Sequence, residues 1–120
     1  MSRKWNIALL QLDIASGDPD ANFAKVESAL NEAVRSDQDK PDIIVLPEMW
    51  NASYALERIG ELADVEGRRT REMISAFCRE HAVNVVAGSV AVKRGNRVTN
   101  TSFAFDRGGA MVAEYSKIHL

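Results

Sequence analysis

Two charged side chains stand where their surroundings could turn them to chemical use. The first is Glu48, in the stretch DIIVLPEMW. Residues 43–46 are an unbroken apolar run, Pro47 closes it, and Glu48 follows two residues after Leu46. Proline fixes one backbone angle and removes a ladder donor, so the carboxylate is expected at a fixed place on the rim of a buried strand. Its apolar neighbours Leu46, Met49 and Trp50 are expected to desolvate it and raise its pKa, as suits a general base. By position alone, a solvated or salt-bridged glutamate after a strand is the simpler reading. The second side chain is Lys117, in YSKIHL. A lone lysine after an amphipathic strand is ordinarily a solvated surface charge. Among these aromatic and apolar neighbours its ammonium could instead be partly buried and paired.

Other reactive residue types are poorly placed. The single cysteine, Cys78, sits beside Phe77 and one turn from Ile74, in the apolar stripe of a helix, where free cysteine is a small core residue. His81 and His119 have no Asp, Glu or Cys at metal-ligand spacing, and His81 falls near a helix C-terminus, where positive charge is favourable anyway. Arg107-Gly108-Gly109 reads as a hairpin turn, not as a strand-to-helix phosphate loop. No metal or organic cofactor is expected.

The elements that would carry these residues follow from periodicity. Residues 5–12 read as a strand, and SGDPDAN as a turn in which Asp18 or Asp20 caps a helix. Phe23, Val26, Leu30 and Val34 recur at three- and four-residue steps, which predicts an amphipathic helix over 21–34. Residues 43–46, apolar throughout, match a parallel strand covered on both faces. Residues 50–67 are a loop with a helical turn near 56–62. A second helix is expected over 70–81, a third strand over 83–92, then hairpin-linked strands over 98–105 and 111–115. Early alternation of strands and helices implies parallel pairing, and late hairpins imply antiparallel pairing. The expected class is therefore α/β, with a mixed β-sheet and helices on one face. The sequence closes on SKIHL with no turn, cap or polar tail, as a truncation after Leu120 would leave it.

Composition narrows the function. A length of 120 residues suggests one domain. With 15 basic and 17 acidic side chains, the net charge of −2 argues against nucleic acid as main partner. One cysteine excludes an internal disulfide framework and fits a reducing compartment. The apolar run at 7–10 is too short for a signal peptide, and no segment approaches membrane-spanning length. A cytoplasmic protein that does not engage membranes is expected. On that expectation the triplets Asn51-Ala52-Ser53 and Asn100-Thr101-Ser102 never meet the glycosylation machinery.

Read together, LPEMW and YSKIHL resemble the nitrilase, or carbon–nitrogen hydrolase, superfamily. Glu48 matches the family glutamate, and Lys117 the lysine of its Tyr-x-Lys-x-His-Leu segment. The opening NIALLQLDIASGDPDANFAKV resembles the family's first strand and helix, and Asn100-Thr101-Ser102 leading into Phe103-Ala104-Phe105 is similar to a later one. The resemblance covers essentially the whole chain and makes residues 1–120 the N-terminal portion of one carbon–nitrogen hydrolase domain, part of an α-β-β-α sandwich.

That resemblance implies a hydrolase of small amides or nitriles working through Glu, Lys and Cys, met in that chain order. The glutamate would deprotonate the cysteine, the thiolate would attack the carbonyl or nitrile carbon, and water would release the acyl group. The lysine would stabilise the oxyanion. The nucleophile would then lie beyond Leu120. His119 matches a histidine in a supporting role. Tyr54 falls where family members carry a tyrosine that shapes the substrate pocket, and an exposed loop aromatic fits it equally. The resemblance also implies a homodimer, with small ω-amides of dicarboxylic acids as substrates. The alternative is a non-catalytic half-length domain that binds a ligand or partner.

Overall fold

The computed structural model describes residues 4–36 and 38–117. In chain order the elements are β1 (Ile7–Leu9), α1 (Pro19–Ala33), β2 (Ile43–Val45), a 3-10 turn (Leu56–Arg58), α2 (Ile59–Leu62), β3 (Asp64–Val65) and α3 (Arg68–His81). They continue with β4 (Asn84–Val86), β5 (Val90–Arg94), β6 (Arg97–Phe105) and β7 (Met111–Lys117). All the strands join one mixed sheet in the order β1-β2-β4-β6-β5-β3, and β7 pairs with the other side of β6. β1, β2 and β4 run parallel, β3 runs parallel to β5, and β6 is antiparallel to β4, β5 and β7.

Both long helices begin earlier than periodicity predicts, because capping rather than the apolar stripe sets a helix start. Asp18 accepts from the Ala21 amide at 3.1 Å, and Pro19 fills the first turn, where its missing N–H costs nothing. At α3 the Asp64 carboxylate accepts from the Thr70 amide at 2.8 Å and its hydroxyl at 2.7 Å. Asp64 lies upstream of the helix, and only folding brings it there.

The two faces of the sheet differ. Ala8, Ile44, Val85 and Phe105 oppose one another across β1, β2, β4 and β6. Ile44, Val85 and Phe105 are buried there against Phe23, Val26 and Leu30 of α1 and Ile74, Phe77 and Cys78 of α3. One residue along, Leu9, Val45, Val86, Ala104 and Ala113 form the matching row on the opposite face. Leu9 is 70% exposed, and Ile7, Val86, Val112 and Tyr115 are also exposed. Among the described residues, the helices cover one face only.

The third strand departs from expectation. Instead of one run over 83–92, there are two short strands separated by Ala87-Gly88-Ser89. Val86 pairs with Ala104 and Val90 with Thr101, so four steps on one strand meet three on the other. The extra residue is a β-bulge, a device that bends a strand and re-aims its neighbours. Gly88 has φ +60, and a Cβ there would overlap the carbonyl oxygens of Leu46 and Pro47. An apolar pattern carries no sign of an inserted residue, so periodicity alone reads one continuous strand.

Gly88→Ala should therefore destabilise the protein by at least about 2 kcal/mol, adding backbone strain to a collision with main-chain atoms that cannot swing aside. Gly60→Ala, where a Cβ meets nothing within 4 Å on a helical residue, should be neutral or stabilising by up to about 1 kcal/mol. Chemical denaturation of both variants checks the contrast.

Candidate active site

The chain leaves β2 at Val45 and enters a tightly stitched turn. The Leu46 amide donates to Val86 O at 3.0 Å, and Pro47 O accepts from the Ser89 amide at 3.2 Å. The Met49 amide donates to Ser89 Oγ at 3.0 Å and the Trp50 amide to Ser89 O at 3.1 Å. Trp50 is fully buried, donates its indole N–H to Ala87 O at 2.9 Å, and meets Phe23 edge to face. Asn51 mimics a strand neighbour: its side chain accepts from the Ala91 amide at 2.9 Å and donates to Ala91 O at 3.0 Å. These bonds hold Met49 at φ +50, a conformation that costs a residue with a side chain about 1–3 kcal/mol. Glu48 is thus carried on a rigid elbow against the bulge.

Glu48 itself is exposed. The expectation that Leu46, Met49 and Trp50 would enclose it fails, because all three are buried in the interior beneath it. Its contacts come from elsewhere. Asn100 of β6 donates from Nδ2 to Glu48 Oε1 at 3.0 Å. Tyr54 also lies beside it: the Tyr54 hydroxyl is held above its usual pKa, first by partial desolvation and then by the repulsion and hydrogen bonding of the Glu48 carboxylate. The ring of Tyr54 remains 59% exposed.

Lys117 reaches the same place from the far strand. In the β6–β7 register it stands directly opposite Asn100. Glu48, Asn100 and Lys117 line one cavity of about 290 Å³ with Leu46, Gly88, Ser89 and Ser102. Glu48 and Lys117, 69 residues apart in the sequence, are therefore brought to one site at the carboxyl end of parallel strand β2, where open α/β sheets bind ligands. A larger cleft of about 590 Å³ runs beside α1 and α3, but its Arg69 is already engaged by Asp20 at 2.6 Å and stacked over Phe23.

Cys78 is not part of this site. It is fully buried on the inner face of α3, and burial first, then the Asp106 carboxylate, push its thiol up to about 11. A thiol so placed stays protonated at neutral pH and is not a nucleophile. His81 stacks against Phe77 on the exposed end of α3, and His119 lies outside the described residues. Among the described residues no three His, Cys, Asp or Glu side chains form a metal-binding group.

Sequence reading missed Asn100, Ser89 and Gly88. Asn51 and Asn100 read as glycosylation triplets, yet both are buried, at 0% and 8% exposure, so neither side chain is presented as an acceptor. The available signal was an asparagine at an inward position of an alternating strand.

The Carbon-nitrogen hydrolase family matches residues 6–120, and this chain belongs to it. It is 38% identical over 117 residues to 2-oxoglutaramate amidase of Bacillus subtilis, covering 98% of this chain and 44% of that protein. It is 28% identical to the omega-amidase of Homo sapiens, covering 97% of this chain and 41% of that protein. In three dimensions it is similar to a nitrilase-superfamily member of Saccharomyces cerevisiae, with TM-score 0.81, 21% identity, and 96% and 44% of the two chains covered. The chain thus spans less than half the length of the relatives it matches.

Because the folded thiol titrates above the ordinary cysteine value of about 8.5, the stability it contributes is complete below that pH and is lost as pH rises through about 11. In the full-length protein, Cys78→Ala should cost about 1 kcal/mol near pH 7 through a small cavity. That difference should shrink between about pH 9 and 11 as the parent loses stability and the variant does not. Urea denaturation of both proteins across this range tests it.

Proposed function

We propose that this chain is the N-terminal part of an amidase that hydrolyses a small non-peptide amide, with ω-amides of dicarboxylic acids as the substrate class. The observation that carries the reading is the convergence of Glu48, Asn100 and Lys117 on one cavity beside a strained, immobilised turn. Two of these match the family's glutamate and lysine, and the matched relatives include proteins named as amidases of this kind.

In this reading Glu48 is the general base. Its exposed carboxylate, steadied by Asn100, takes the proton of a cysteine thiol contributed by residues outside this chain, a step worth roughly 10²–10⁴ in rate. The thiolate attacks the amide carbon while the Lys117 ammonium offsets charge on the developing oxyanion; the C–N bond then breaks as the protonated Glu48 gives its proton to the nitrogen, which leaves as ammonia. One oxyanion donor of this kind is worth about 3–4 kcal/mol. Water then hydrolyses the acyl-enzyme with Glu48 again as base. Tyr54, beside Glu48 and open to solvent, shapes the substrate entrance. No cofactor enters these steps. A cytoplasmic location and a homodimer complete the proposal, the first supported by the lone reduced cysteine and the second by resemblance to the family.

Two experiments test it. Glu48→Gln in the full-length protein keeps the shape and removes the base, so turnover of an ω-amide should fall at least about a hundredfold with little change in stability. Rates within about threefold of the parent would remove Glu48 from the mechanism. The 120-residue chain assayed alone should release no ammonia from a panel of ω-amides and a short-chain nitrile. It should also self-associate through the uncovered row from Leu9 to Ala113, seen as excess light scattering. A stable, monodisperse monomer would instead favour a half-length binding module.

A further inference from the structure

Asn100 holds the one polar arrangement near the cavity that the fold does not explain. Its Nδ2 bonds Glu48 Oε1 at 3.0 Å, while its Oδ1 is buried without a hydrogen-bond partner among the described residues. Buried acceptors in folded proteins are nearly always paired, so an unpaired one at a cleft calls for a reason. Turning the amide over is no remedy. It would set Oδ1 against the Glu48 carboxylate and leave Nδ2, a donor of two protons, unpaired instead.

Asn51 shows what a purely structural asparagine looks like in this same molecule: both ends of its amide are satisfied by one backbone position, Ala91. Asn100 satisfies one end only, and does so on an exposed carboxylate. Across the ladder, directly opposed residues in an antiparallel pair bring their Cβ atoms to about 5 Å. The residue opposite Asn100 is Lys117, the only cationic side chain among the described residues that line the cavity, with three donors and no acceptor.

We propose that Asn100 is a positioning residue that couples the two charged groups of the site: Nδ2 holds Glu48 by one carboxylate oxygen, and Oδ1 accepts from the Lys117 ammonium. The inference rests on the reading of Glu48 as general base. Held at Oε1, the carboxylate keeps Oε2 as its proton-accepting atom in a fixed direction. Held at Oδ1, the ammonium is kept within reach of the oxyanion instead of ranging through solvent. A short primary amide carries its donor and its acceptor on separate atoms, so it can hold one group with each. Aspartate has the same shape but repels Glu48, and serine cannot span both groups.

The test compares Asn100→Asp, Asn100→Ser and Glu48→Gln in the full-length protein, with kcat and KM measured on a small dicarboxylic-acid monoamide and unfolding midpoints alongside. Asn100→Asp is expected to lower kcat at least about tenfold with KM within about threefold, and to be the more damaging of the two Asn100 changes. If Asn100 were only a buried structural polar group, the isosteric aspartate would be the milder change and the loss would follow the unfolding midpoint. In the Glu48→Gln background, Asn100→Asp should cost less than about threefold more, since its effect passes through the carboxylate. Additive losses in that background, or a change confined to KM, overturn the coupling and leave the base reading intact. Should the aspartate variant not fold, the kcat-against-KM split is read from serine, which also frees Lys117 and so should keep part of its cost in the Glu48→Gln background. A Glu48→Gln enzyme as active as the parent overturns the base reading and this inference with it.

Discussion

The contact on which the site depends is between two pieces of backbone. Gly88, at the crest of the bulge, lies so close under the carbonyls of Leu46 and Pro47 that no side chain fits between them. That closeness lets Ser89 bond the turn three times, through its amide, carbonyl and hydroxyl. With Pro47 ending the ladder on one side and the bulge breaking it on the other, the chain has left the sheet before residue 48. The carboxylate is therefore placed by main-chain geometry, which is stiffer than any side-chain packing that could have been built around it.

Buried and half-buried polar side chains do the rest of the joining, across 6 to 40 residues of sequence. Asn22 links the Ala15 backbone to Asn51 O, Asn51 links the elbow to β5, and Asp64 caps α3 through Thr70. An unpaired buried polar group costs about 1–3 kcal/mol, so each of these side chains is committed to one arrangement of the fold. In Asn22 and Asn51 both ends of the amide are satisfied, which marks them as scaffold. Asn100 is satisfied at one end and aimed at a charged group, which sets it apart.

The sheet's two faces differ in what covers them. α1 and α3 cover one face with an aromatic and aliphatic core, while the row from Leu9 to Ala113 lies open on the other. Lys117 stands on β7, the last strand of that open row, while the apolar neighbours of Glu48 turn inward.

Local order was legible in the sequence because it depends on near neighbours. The 3.6-residue stripe of α1, the turn at 106–109, the apolar run of β2 and the core placement of Cys78 all follow from residues within a few positions of one another. The Glu48 and Lys117 motifs were legible too, as types and spacing that resemble a known family, and the matched family bears that resemblance out. What only the tertiary structure decided were the features made by residues far apart in the chain. The bulge that splits 83–92 arises from pairing with β6 and contact with β2, and an apolar pattern reads the same with or without one inserted residue. Asn100 meets Glu48 across 52 residues of sequence. Hydrophobic periodicity reports which face of an element is buried, and it carries no information about which polar atom will find which partner once the elements close together.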